Sequence, residues 1–120
     1  MDFLTEKQNG LVIVTIHLRR VTYKEAEEFR RILINEIVNG NLKLIIDMHI
    51  CEFMDSTFLG VLTSILKMCI QSGGELKLAA PVSETQILLE LTGAVRVFDV
   101  HKSKEEAIES FNKQPDKSKS

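Results

Sequence analysis

Cysteine is scarce. Cys51 and Cys69 are the chain's two cysteines, too few for a disulfide-held scaffold, and no spacing of His and Cys forms a zinc site. Both sit among apolar neighbours and read as buried small hydrophobes. An excess of either charge is missing too: 15 basic against 17 acidic residues leave a net charge of −2. No global field therefore favours nucleic acid or anionic lipid. Long apolar runs are absent as well. The longest uncharged stretch, 53–66 apart from Asp55, is broken by Ser, Thr and Gly, too short and too polar to cross a bilayer. The opening residues, Met1 to Lys7, show no basic segment followed by an apolar one, so no secretory signal is expected. The expected setting is the cytoplasm, with reduced thiols.

What is present fits one domain. The 120 residues are 44% apolar and 27% charged, which excludes a disordered, collagen-like or low-complexity chain. A chain of this length buries roughly 65% of its unfolded surface, enough for one core without staples. No repeat or linker divides it.

Hydrophobic periodicity gives the element order. Leu11 to Leu18 is rich in β-branched residues and reads as a strand after the turn pair Asn9-Gly10, with 3–7 as a hairpin partner. Thr22 and Glu25 form a capping box. Ala26, Phe29, Leu33 and Ile37 then recur at helical spacing until Asn39-Gly40. Leu42 and 44–46 form a short apolar strand. A helix from near Asp55 to Gln71 ends at Gly73-Gly74. A strand over 76–80 is closed by Pro81. Ser83 and Gln86 read as a second capping box, opening a helix through Leu91 that Gly93 stops. Val95 to Val100 reads as a last strand. Ser103 and Glu106 form a third box, opening a helix through Phe111. The segment 112–120 is polar and is expected to be a disordered tail, leaving one domain over 1–111. Strands alternating with helices imply an α/β layer fold with a parallel centre. Right-handed crossovers then bring Arg19 and Arg20 to the same sheet end as Ser56.

The informative stretch is 53–60, Phe-Met-Asp-Ser-Thr-Phe-Leu-Gly. Asp55 occupies an N-cap position, with Ser56 and Thr57 in the first helical turn. Unpaired N–H groups and the helix dipole make that turn hospitable to a phosphate on Ser56. At about 100° per residue, Ser56, Gly60, Thr63, Ser64, Lys67 and Gln71 share one side. Phe58, Leu59, Leu62, Ile65, Leu66 and Cys69 share the other, and Val61, Met68 and Ile70 widen the apolar arc to very roughly 200°, beyond the stripe of about 100° a core requires. The polar side carries one charge, Lys67, with Gly60 at its centre. Such a face suits close approach by a partner, with Val61 and Met68 as adaptable rim. A helix buried between other elements of the same chain would show the same pattern, and pattern alone leaves both readings open. Gly60 costs about 1 kcal/mol relative to Ala and calls for a packing or docking reason.

Asp55-Ser56-Thr57-Phe58-Leu59-Gly60, after an apolar strand, resembles the D-S-[ST]-G-L-G motif of STAS domains. More narrowly, it resembles the bacterial anti-sigma factor antagonists. The similarity continues through Gly73-Gly74-Glu75, the next strand, the Leu-rich helix before Thr92-Gly93 and the closing helix, covering roughly 9–111. The resemblance implies a STAS-like mixed sheet with parallel central strands and about four helices packed mainly on one face. It implies a non-enzymatic partner switch; a monomer that forms hetero-complexes is the default expectation. The unmodified protein binds an anti-sigma factor that is also a serine kinase, the kinase phosphorylates Ser56, and a serine phosphatase restores binding. The docking surface expected from this is Asp55, Ser56, Thr57, Gly60, Thr63, Ser64 and Lys67, with Arg19 and Arg20 contributed by the preceding loop. Two departures stand out. Phe58 occupies a position where the family usually has Gly, and either packs inward or alters the docking surface. Leu18-Arg19-Arg20-Val21-Thr22 replaces a run of Gly, an acidic residue, an apolar residue and Asp. The two arginines either pair with a phosphoserine or stand as solvated loop charges.

Rival chemistries find less support. No G-x-S-x-G elbow surrounds Ser56, and no His lies where a triad would need it. His17, His49 and His101 fall on or beside strands and read as structural or exposed. Asp47 and Asp55 lack a third carboxylate for a metal. Gly73-Gly74 lacks the Lys-Ser/Thr pair of a P-loop. No cofactor is expected. Thr57 is the alternative phosphate acceptor. A ligand-sensing module of the same family, serving secretion or motility circuits, and a constitutive scaffold subunit are the competing functions.

Overall fold

The computed structural model describes residues 1–113. Asn9 and Gly10 both take positive φ, 52° and 81°, the geometry of a two-residue hairpin turn. That turn folds β1 (Phe3–Gln8) antiparallel onto β2 (Leu11–Ile16), with Phe3 opposite Ile16 and Gln8 opposite Leu11. The remaining strands of the main sheet are parallel: β4 (Lys43–Asp47), β6 (Glu75–Ala79) and β7 (Asp99–His101), in the spatial order β1-β2-β4-β6-β7. A second, two-stranded parallel sheet pairs β3 (Arg20–Val21) with β5 (Phe53–Met54).

Helices supply the crossovers. α1 (Tyr23–Val38) precedes β4, α2 (Ser56–Gln71) joins β5 to β6, and α3 (Ser83–Leu91) lies between β6 and β7. The capping box at Thr22 forms as expected: Glu25 Oε1 accepts the Thr22 N–H at 2.8 Å, and Thr22 Oγ1 accepts from Lys24 N–H at 3.2 Å. Ala26, Phe29, Leu33 and Ile37 are buried, as their spacing predicts.

The strands are covered on both sides, which explains their nearly unbroken apolar sequences. Val12, Val14, Ile16, Leu44, Ile46, Leu76 and Leu78 belong to the large core shared with α1, α2 and α3. Leu11, Ile13, Ile45 and Ala79 face the opposite way and are closed by Ala107 and Phe111 of α4 (Lys104–Asn112). Three helices thus cover one face and α4 the other, among the described residues. Lys77 points to the α4 side and is buried. Its ammonium donates to Ser110 Oγ, pairs with Asp99 at 3.3 Å and lies 4.4 Å from the centre of the Phe111 ring. Burial alone would raise the Asp99 carboxyl. Hydrogen bonds from His101 and Lys77, and their charge, outweigh it and hold that carboxyl below its ordinary value.

Local expectations fail in three places. Ser83 does not cap α3: Val82 holds the N-cap position with no side-chain bond. The helix begins at Ser83 itself, so that hydroxyl sits inside the first turn, and Gln86 pairs forward with Glu90 at 3.0 Å. The run 95–100 is not one strand. Gly93 adopts φ 77°, and bonds from Arg96 N–H to Gly93 O and from Val97 N–H to Ala94 O wind a 3-10 turn over Ala94–Arg96. Tight-turn geometry there overrides the β preference of Val95 and Val97, and only Asp99–His101 joins the sheet. At α4 the box is displaced. Ser103 Oγ accepts from Glu106 N–H at 3.0 Å, but Glu106 reaches back to the Lys102 N–H at 3.3 Å. α4 continues to Asn112 and is capped at Lys113; residues 114–120 of the expected tail lie outside the described residues.

Candidate docking site at the start of α2

Asp55 organises the site. Its backbone is extended, φ −86° and ψ 173°. Oδ1 accepts the Phe58 N–H of α2 at 2.8 Å, and Oδ2 accepts the Tyr23 N–H of α1 at 3.0 Å. One carboxylate therefore caps two helices, the start of one lying 32 residues from Asp55 in sequence. The loops leading into those helices are joined by main-chain bonds. Glu52 N–H and Phe53 N–H donate to Arg19 O at 2.7 and 3.0 Å, and Asp55 N–H donates to Val21 O at 3.1 Å. This seam brings Arg19 and Arg20 to the sheet end that carries Ser56. Both arginines are exposed, and the Arg20 guanidinium lies 4.3 Å over the Phe53 ring.

Ser56 is the first residue of α2. It and Thr57 are exposed. Phe58 is wholly buried and contacts Phe29 at 4.8 Å between ring centres and Phe3 at 6.4 Å. The bulky departure from the motif therefore turns inward and leaves the surface beside Ser56 unchanged. It ties α2 to α1 and to the edge strand β1.

Further along the face, Gly60, Ser64 and Lys67 are exposed and Thr63 is half-buried. The reading of α2 as a helix buried within its own chain fails on this exposure. The Thr63 and Ser64 hydroxyls donate to Leu59 O and Val61 O at 3.0 and 2.8 Å, leaving a face with little unsatisfied polarity. A Cβ built on Gly60 meets nothing within 4 Å, so nothing in the chain's own packing requires glycine there. Gly74 is the contrast: its Cβ would come within 2.4 Å of Leu42 O, a close approach that does require glycine.

The other candidates lie apart from this site. His49 is bonded to the buried Asp47, Nδ1 to Oδ1 at 3.0 Å, beside the start of α4. His101 pairs with Asp99 at 3.0 Å. Burial pushes the Cys51 thiol up to about 11 and raises that of Cys69, so thiolate chemistry is disfavoured at both. Among the described residues, no group of three or more His, Cys, Asp or Glu could hold a metal, and no helix is long and apolar enough to cross a membrane. The seam between β3 and β5, and the second helix that Asp55 caps, were not legible in the sequence. Two-residue strands have no period, and a bond from Asp55 to Tyr23 leaves no local trace.

The profile of the STAS domain matches residues 2–107. The chain belongs to the STAS domain family. A Thermotoga maritima protein named "Putative anti-sigma factor antagonist" is 27% identical over 103 residues, covering 85% of this chain and 91% of that protein. The crystal structure of a Thermotoga maritima protein of that name superposes with a TM-score of 0.82 at 26% identity, over 90% of this STAS domain and 92% of that chain. The Bacillus cell fate determinant SpoIIAA, in its phosphorylated form, gives a TM-score of 0.73 over 91% of this chain and 98% of its own. At 19% identity that likeness concerns the fold alone.

Proposed function

We propose that this STAS domain is a cytoplasmic anti-sigma factor antagonist that switches partners through Ser56. Unmodified, it binds an anti-sigma factor that is also a serine kinase. Phosphorylated on Ser56, it releases that partner until a serine phosphatase restores the hydroxyl. One observation carries the reading: an exposed serine at the first position of α2, on a helix side whose one charge is Lys67, with its backbone fixed by Asp55. The docking residues are Asp55, Ser56, Thr57, Gly60, Thr63, Ser64 and Lys67, with Arg19 and Arg20 at the margin. Phosphate adds about −1.5 to −2 charge there. Helix N–H groups tolerate it, but a partner seated on the face would leave it desolvated, and losing about 3 kcal/mol weakens binding by at least roughly a hundredfold.

The test is affinity capture from the native cell with Ser56→Ala and Ser56→Asp, with identification of the retained protein and titration against it. Ser56→Ala should hold an anti-sigma factor and Ser56→Asp should lose it. Equal binding by the two variants would instead mark a constitutive scaffold.

A further inference from the structure

Helix α3 carries a second apolar stripe that the core does not use. Thr85 and Leu89 face inward, and Thr85 Oγ1 donates to Cys51 O at 3.0 Å, fastening α3 to the loop before β5. Ile87 and Leu91 point out, 53% and 81% exposed. With Leu88, Phe53 (40% exposed) and Met54 they line a groove of about 220 Å³. That is smaller than the roughly 300–1,000 Å³ of small-molecule sites and suits one or two anchoring side chains from another protein.

The groove's charge specifies what fills it. Glu52, Glu84 and Thr85 complete the lining, and neither glutamate forms an ion pair among the described residues. Arg20 is the nearby cation, lying over the Phe53 ring. The groove is also next to the proposed switch along the chain: Phe53 and Met54, which line it, lead through Asp55 into Ser56.

We infer that this groove docks an apolar segment flanked by Lys or Arg, contributed by a partner that prefers the Ser56-phosphorylated state. The sign follows from the charges. A phosphate at Ser56 adds negative charge to that of Glu52 and Glu84, so it attracts a basic segment here, while a partner seated on the face of α2 would leave that phosphate desolvated. The dependence on phosphate rests on the Ser56 reading; the apolar and acidic character of the groove does not.

The test uses a fluorescent amphipathic peptide with leucines on one helical face and lysines and arginines beside them. A second peptide has glutamates in place of the cations. The basic peptide should bind the full chain and the acidic one should not. Leu91→Ser with Ile87→Ser should cost roughly tenfold in affinity, and Glu84→Lys roughly threefold. Ser56→Asp should tighten binding roughly twofold at low salt and lose that gain at high salt. Equal binding of the two peptides, or indifference to the α3 substitutions, overturns the groove. Concentration-dependent self-association that Leu91→Ser abolishes also overturns it, assigning the surface to a second copy of the chain. If the α3 arms succeed and Ser56→Asp has no effect, the preference for the phosphorylated state is overturned. In Ser56→Ala and Ser56→Asp capture, failure of the switch appears separately, in a partner seated on α2.

Discussion

At Gly60 and Phe58, single residues separate what the fold needs from what the surface needs. Gly60 lies mid-helix with open space where a methyl would go. Gly60→Ala should therefore stabilise the domain by about 1 kcal/mol, raising the thermal midpoint by roughly 4 °C in calorimetry. The same substitution should weaken partner binding, because a methyl then stands on the docking face; unchanged affinity would remove Gly60 from that surface. Phe58 is the opposite case. Enclosed by Phe3 and Phe29, it should cost about 3–5 kcal/mol as Phe58→Ala, against a total stability of about 5–15 kcal/mol for domains in general. Urea titration measures this, and a loss under about 1 kcal/mol would contradict the packing described. The side of the helix on which Gly60 falls was legible from helical spacing. The same spacing put Phe58 on the apolar side, two positions from Ser56; whether that bulk packs inward or alters the docking surface is decided by its neighbours Phe29 on α1 and Phe3 on β1.

At the scale of elements, the two longest helices start side by side because Asp55 accepts from both. Asp55→Ser keeps a hydroxyl able to cap α2 but is too short to hold α1. Tyr23→Pro removes the other end of the same bond. Proline is favoured at the first helical position, and Thr22 before it is already extended, φ −136° and ψ −171°. Each substitution should cost about 1–1.5 kcal/mol. The double variant should cost about as much as either single one, since both cut one bond; additive losses in a double-mutant cycle would show that the bond carries little. Most elements were legible from period and caps: the hairpin turn, the Thr22 box, the apolar strands and the start of α2. The failures share a cause. Ser83 was read from a capping-box spacing and the run 95–100 from residue preference, where the helix start at Ser83 itself and a left-handed Gly93 decided the outcome.

For the whole molecule, the sheet is clad on both sides, and the thinner cladding by α4 holds an internal cation. Asp99 compensates Lys77 and is itself held below its ordinary carboxyl value. Its stabilising contribution is full above the unfolded-state value of about 3.9 and is lost as pH falls through the lower folded-state value. Asp99→Asn should therefore flatten the acid limb of the stability–pH curve, measured by urea unfolding from about pH 5 downward. An unchanged limb would show that other carboxylates govern acid unfolding. The seam between β3 and β5 has a separate consequence. Its cross-links run between main-chain atoms of Arg19, Val21, Glu52, Phe53 and Asp55, so the seam asks nothing of the side chains at 19 and 52, while those at 20 and 53 stack on each other across it. Copies of such a gene are free to diversify positions 19 and 52 and acquire separate correspondents while sharing one scaffold, insulating parallel circuits in a single cell from each other.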